Sequence, residues 1–134
     1  MSKKTKALAE EWIDRAASDV KYARAGERET GQHHITCFLC HQAAEKALKG
    51  LIALDGKAPQ KTHSLGLLMT AAAASYPSLM GIIKDVRRLD KFYIPARYPG
   101  GEEFDFEPRD AEAALATAEH LLTIARSELA ESGK

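Results

Sequence analysis

The chain has 134 residues, the size of one domain, and its 45% hydrophobic and 28% charged content is ordinary for a globular protein. Nineteen Lys and Arg balance nineteen Asp and Glu, so neither an overall basic field suited to nucleic acid nor an acidic tail marks it. This composition excludes disorder, collagen and a disulfide scaffold, and no apolar run of about 18 residues offers a membrane span.

The 23 alanines stand against two valines. Alanine has the best helix propensity and β-branched residues favour strands, so an all-α chain is predicted. The five prolines, Pro59, Pro77, Pro95, Pro99 and Pro108, fall between periodic segments, where they mark connections rather than break helices.

The first helix is expected over about Thr5 to Arg24, with Leu8, Trp12, Ala16, Val20 and Ala23 along its apolar face. Gly26 and Gly31 are expected to bracket the polar turn that ends it. A second helix is expected from about His33 to Leu54, with Gly56 as its C-terminal cap. Its stripe is Cys37, Cys40, Ala44, Ala47 or Leu48, and Leu51. A third follows Thr62 as N-cap and stops at Tyr76-Pro77, and Ser78 is expected to cap a fourth from about Leu79 to Phe92. The last opens at Pro108, with Asp110 and Glu112 suiting the helix dipole, and its stripe is Ala111, Leu115, Ala118, Leu122, Ala125 and Leu129. The architecture predicted is one domain over residues 1–134, an antiparallel bundle of about five helices.

Residues 93–108 read as a long irregular loop inside that domain. Five of the nine aromatic residues lie between Phe92 and Phe106, and such loops are often functional. Charge is segregated here: residues 84–98 carry five basic and two acidic groups, whereas residues 99–112 carry six acidic and one basic. The aromatics can pin the loop across the bundle, bind a ligand, or do both.

Cys37-Phe38-Leu39-Cys40-His41 matches the C-x-x-C-H string of covalent haem attachment. However, the N-terminal MSKKTKALAEEW lacks the apolar stretch of an export signal, and a cytoplasmic location is expected. Both cysteines fall on the apolar stripe, so reduced core thiols are the preferred reading. His33, Cys37, Cys40 and His41 also approach a zinc-like set, but no second element closes it. No metal or cofactor is therefore expected. Phe38, Gln42, Glu45 and Lys49, with Lys46, form a polar strip on the second helix. Its simplest reading is a solvated face with a Glu45–Lys49 pair; the alternative is a surface for an anion or a polar partner. Arg28 and His33 fit R-x4-H by string only, in the turn after the first helix.

Trp12–Val20, CFLCHQAAEKALKG at Cys37–Gly50, THSL at Thr62–Leu65, LDKFYIPARYP at Leu89–Pro99 and the Asp110-Ala111 helix start occur in order along nearly the whole chain. Together they resemble the HEPN domain (higher eukaryotes and prokaryotes nucleotide-binding), in its small prokaryotic branch often paired with a minimal nucleotidyltransferase. That resemblance implies a helical bundle, homodimerisation, and nucleotide binding or support of a partner enzyme in a toxin–antitoxin-like pair. Other members are metal-independent ribonucleases with an R-x4–6-H motif. Arg97 stands where that arginine belongs, but no histidine follows until His120, so the usual acid–base partner is missing and no catalytic residue is assigned. A recognition role is expected instead. Arg97 is suited to bidentate phosphate contact, Tyr93 and Tyr98 to stacking on a base or bracing the arginine, and Lys46, Lys49 and His63 to surrounding the same anion; the alternative is a buried Arg–Asp–Tyr network that closes the bundle. Glu45, Asp90 and Gln42 are the expected supports. The rival functional reading is an endoribonuclease with an altered active site, and RNA stays open as a partner.

Overall fold

The computed structural model describes residues 2–99 and 105–133, apart from the side chains of Pro95 and Arg97. Its described residues are mostly helical. In chain order the helices are α1 (Lys3–Thr30), α2 (His33–Leu54), α3 (Leu65–Ala73), α4 (Ile83–Leu89), α5 (Tyr93–Arg97) and α6 (Pro108–Glu131). Two 3₁₀ segments, Pro77–Ile82 and Asp90–Phe92, lead into α4 and α5. Among the described residues there is no strand, and no helix is long and apolar enough to cross a membrane.

The architecture is the expected antiparallel bundle, built around α2. This helix packs on α1 and α6 along its length, while α3 and α5 cover its remaining side. Fifteen of its 22 residues are buried, which leaves almost no solvated face. The polar strip is therefore not the solvent-facing surface that its spacing suggested. Glu45 and Lys49 are buried, and only Gln42, Lys46 and Phe38 are half-exposed.

The buried seam of α1 is Ala9, Ile13, Ala16, Val20 and Ala23, one residue away from the expected stripe at its N-terminal half. The spacing runs four, three, four, three, which keeps a seam facing its partner. Extending by fours to Trp12 and Leu8 walks off that seam, and Leu8 is 48% exposed. The close approach to α2 occurs at Gly50. A Cβ there would lie 2.9 Å from Ile13 Cγ1 and 3.3 Å from the Ala9 carbonyl oxygen.

Several boundaries also differ. Gly26 is inside α1, which continues to Thr30 and ends at Gly31 in the left-handed conformation (φ 63°). The extra turn is held by Glu27, whose carboxylate takes Thr36 Oγ1 and His33 Nδ1, each at 2.7 Å. α2 ends as expected: Gly56 (φ 78°) donates to the Ala53 carbonyl and Lys57 to that of Ile52, a Schellman arrangement. Ser64, not Thr62, caps α3, its Oγ accepting from Leu67 N at 3.2 Å. Ser78 caps nothing; its hydroxyl donates to Glu128, and Pro77 opens a 3₁₀ segment in place of a regular helix start. The segment from Tyr93 is not irregular throughout, since Tyr93–Arg97 form a helical turn. α6 begins at Pro108 as expected, with reciprocal Glu107–Asp110 capping.

Candidate functional site

Cys37 and Cys40 lie fully buried and unpaired in the core. Burial pushes the Cys37 thiol up to about 12 and raises that of Cys40 further, so neither thiol is poised as a thiolate nucleophile or ligand. Among the described residues, no three His, Cys, Asp or Glu side chains gather in a way that could hold a metal.

The polar chemistry concentrates where α2 meets the start of α3 and the α4–α5 junction. His41, Glu45 and Lys49 follow at intervals of four on one face of α2. Lys49 Nζ donates to Glu45 Oε2 at 3.0 Å and lies 5.7 Å from the centre of the Trp12 ring on α1. The other oxygen, Glu45 Oε1, accepts from His63 Nδ1 at 2.9 Å. The His63 ring lies nearly parallel to Tyr93, with centroids 5.2 Å apart and 20° between planes. Tyr93 also packs on His41 at 4.9 Å.

His41 Nε2 in turn donates to Asp90 Oδ1 at 3.1 Å. Asp90 additionally accepts Leu65 N at 2.9 Å and Gly66 N at 3.0 Å, so it caps α3 from a distant segment. A carboxylate only accepts, which fixes the proton of His63 on Nδ1 and that of His41 on Nε2. His41 Nδ1 is then a bare acceptor, buried without a partner among the described residues. Burial lowers the His41 pKa against the opposing hydrogen bond from Asp90, so the ring is neutral near pH 7.

A continuous row therefore runs from Trp12 through Lys49, Glu45, His63, Tyr93 and His41 to Asp90. It brings together five of the residues singled out from sequence: Lys49, His63, Tyr93, Glu45 and Asp90. Lys46 instead pairs with Asp19 on α1 at 2.7 Å. Gln42 is half-buried beside the row and makes no side-chain hydrogen bond among the described residues. Tyr98 is exposed just past α5. Arg97 closes α5 one turn after Tyr93, and its guanidinium lies outside the described residues. His41 and Trp12 were not among the expected site residues. His41 could have been found by its spacing of four before Glu45, but nothing in the sequence placed Trp12 over Lys49.

An all-α bundle with a buried, histidine- and carboxylate-bearing central helix is thus the class of protein. Residues 9–128 match the HEPN domain, and the chain belongs to the HEPN family. It is similar to TT1696 from Thermus thermophilus, at 29% identity and a TM-score of 0.79 over 89% of this chain and 96% of that one. It is also similar to ST0689, an archaeal HEPN homologue, at 32% identity and a TM-score of 0.71 over 90% of this chain and 97% of that one. Comparison with curated proteins gave no match.

Proposed function

We propose that this chain is a non-catalytic HEPN module that binds a nucleotide or another phosphate-bearing ligand and acts in the cytoplasm beside a minimal nucleotidyltransferase, in a toxin–antitoxin-like pair. The observation that carries this reading is the meeting of three separate segments at the start of α5, where exposed His63 stacks on Tyr93 and is tied through the buried Glu45 carboxylate to Lys49. Tyr93 stacks on His63 and packs on His41, and Arg97, one turn further on, belongs to the basic half of a charge-segregated segment. The lack of a histidine five to seven residues beyond the Arg97 position, where Glu102, Glu103 and Phe104 stand, supports recognition over cleavage.

Calorimetric titration with nucleoside mono-, di- and triphosphates tests the reading. Charge-assisted contacts to phosphate are worth about 1.5–3 kcal/mol, so Arg97→Ala should weaken binding roughly ten- to a hundredfold. Arg97→Lys should recover only part of this, because it restores the charge without the fork. If Arg97→Ala lowers the melting temperature and leaves affinity unchanged, the residue closes the bundle and the ligand role is lost. One feature favours the second reading, an endoribonuclease with an altered site: His63 supplies an exposed imidazole near α5. Cleavage of single-stranded RNA that depends on both Arg97 and His63 would establish it in place of the first.

A further inference from the structure

The five histidines differ in two properties: whether a carboxylate holds Nδ1, and whether the ring meets solvent. His34 and His120 are exposed, with no carboxylate on the ring among the described residues. His33 Nδ1 is held by Glu27, but its ring is largely covered in the α1–α2 turn. His41 is wholly buried against Asp90. His63 alone combines both properties, with its side chain 61% exposed and its Nδ1 on a carboxylate, Glu45, that is itself only 8% exposed.

We propose that His63 is a covalent phosphoryl-acceptor site that takes the group at Nε2 from a small donor of the acyl phosphate class. With the proton on Nδ1 and donated to Glu45, the Nε2 lone pair is available on the exposed ring. That pair attacks the phosphorus and forms the N–P bond. The bond from phosphorus to the acyl oxygen breaks, and the carboxylate leaves with its electron pair; nothing is oxidised or reduced. The ring gains positive charge as the bond forms, and the Nδ1–H hydrogen bond to Glu45 offsets it. A carboxylate that orients an imidazole and stabilises its cationic form plays this part in hydrolase triads.

Neighbouring residues hold the pair in place. Lys49 takes the second Glu45 oxygen at 3.0 Å, and stacked Tyr93 restrains the plane of the His63 ring. The proposal rests on the His63–Glu45 pair and not on nucleotide binding: a chain that binds no nucleotide can still take the group, and one that binds nucleotide can fail to.

The test is incubation of the full chain with acetyl phosphate at neutral pH, followed by intact mass and peptide mapping under basic conditions, where phosphohistidine survives. The expected result is a single adduct on His63. It should form about tenfold or more faster than on His34 and His120, which serve as controls in the same molecule, a ratio in keeping with one charge-assisted hydrogen bond. Glu45→Gln, checked for folding by its melting curve, should bring His63 down to the rate of those two, and His63→Gln should abolish the adduct. Equal rates at the three exposed histidines of the wild type, or an adduct placed elsewhere, would overturn the proposal without recourse to any variant.

Discussion

The thiols of Cys37 and Cys40 sit on the apolar seam of α2, and burial alone removes the reactivity that their C-x-x-C-H string suggests. They should react with a thiol reagent only as fast as the chain unfolds, so the labelling rate should rise steeply across the urea transition. Prompt labelling of the native protein would contradict this placement. His41 makes a second prediction, on acid stability. Its folded-state pKa is lowered by burial, whereas an unfolded chain gives histidine about 6.5. Below that pH the unfolded chain takes a proton that the native ring refuses, so acid favours unfolding. The contribution is therefore fully present above about pH 6.5 and lost as pH falls beneath it. The melting temperature should drop between neutral and mildly acidic pH, and His41→Gln should show a shallower drop. An identical pH profile in that variant would remove His41 as the cause.

Among the elements, α1 and α3 show how a local signal is overruled from outside. The α1 helix turns its alanines to α2 because Gly50 leaves room there for Ile13 and the Ala9 backbone. Gly50→Ala gains about 1 kcal/mol of helix propensity but forces a contact of 2.9 Å with Ile13 Cγ1. Overpacking of that kind costs about 1–3 kcal/mol, so the net effect should be destabilising, and larger for Gly50→Val. Urea denaturation of both variants checks the order. For α3, Ser64 satisfies Leu67 N, but the Leu65 and Gly66 amides depend on Asp90, 25 and 24 residues downstream. Asp90→Ala strips two helix-end donors and His41 Nε2 of their acceptor and should destabilise the fold by about 2–4 kcal/mol. Hydrogen exchange at the start of α3 should accelerate before exchange in α1. The Ser64 cap was within reach of a sequence reading; the contribution of Asp90 was not, because no local pattern announces a cap supplied from another segment.

For the whole molecule, large apolar side chains remain outside the bundle: Tyr22, Leu67, Met80 and Ile94 are all more than half exposed. Family resemblance motivates the proposal of a two-fold homodimer burying at least ~1,000 Å² in total. Sedimentation at tens of micromolar should show a dimer, and a clean monomer there would refute it.

Helix content, the extent of α2, the start of α6, the buried cysteines and the HEPN family were legible in the residues themselves. Each rests on short-range rules: alanine propensity, three-and-four spacing, a left-handed glycine after α2 and a proline at the start of α6. Tertiary structure decided the rest. Whether the α2 strip met water depended on α3 and α5 closing over it, and a helix carries no local record of what will cover its fourth side. The row from Trp12 to Asp90 likewise assembles groups from both ends of a 79-residue interval. Spacing on α2 could propose Glu45 and Lys49, but only packing could bring His63 and Tyr93 to them. Side-chain convergence is a property of how helices cross, and crossing is set by the sum of many small contacts rather than by any one stretch of residues.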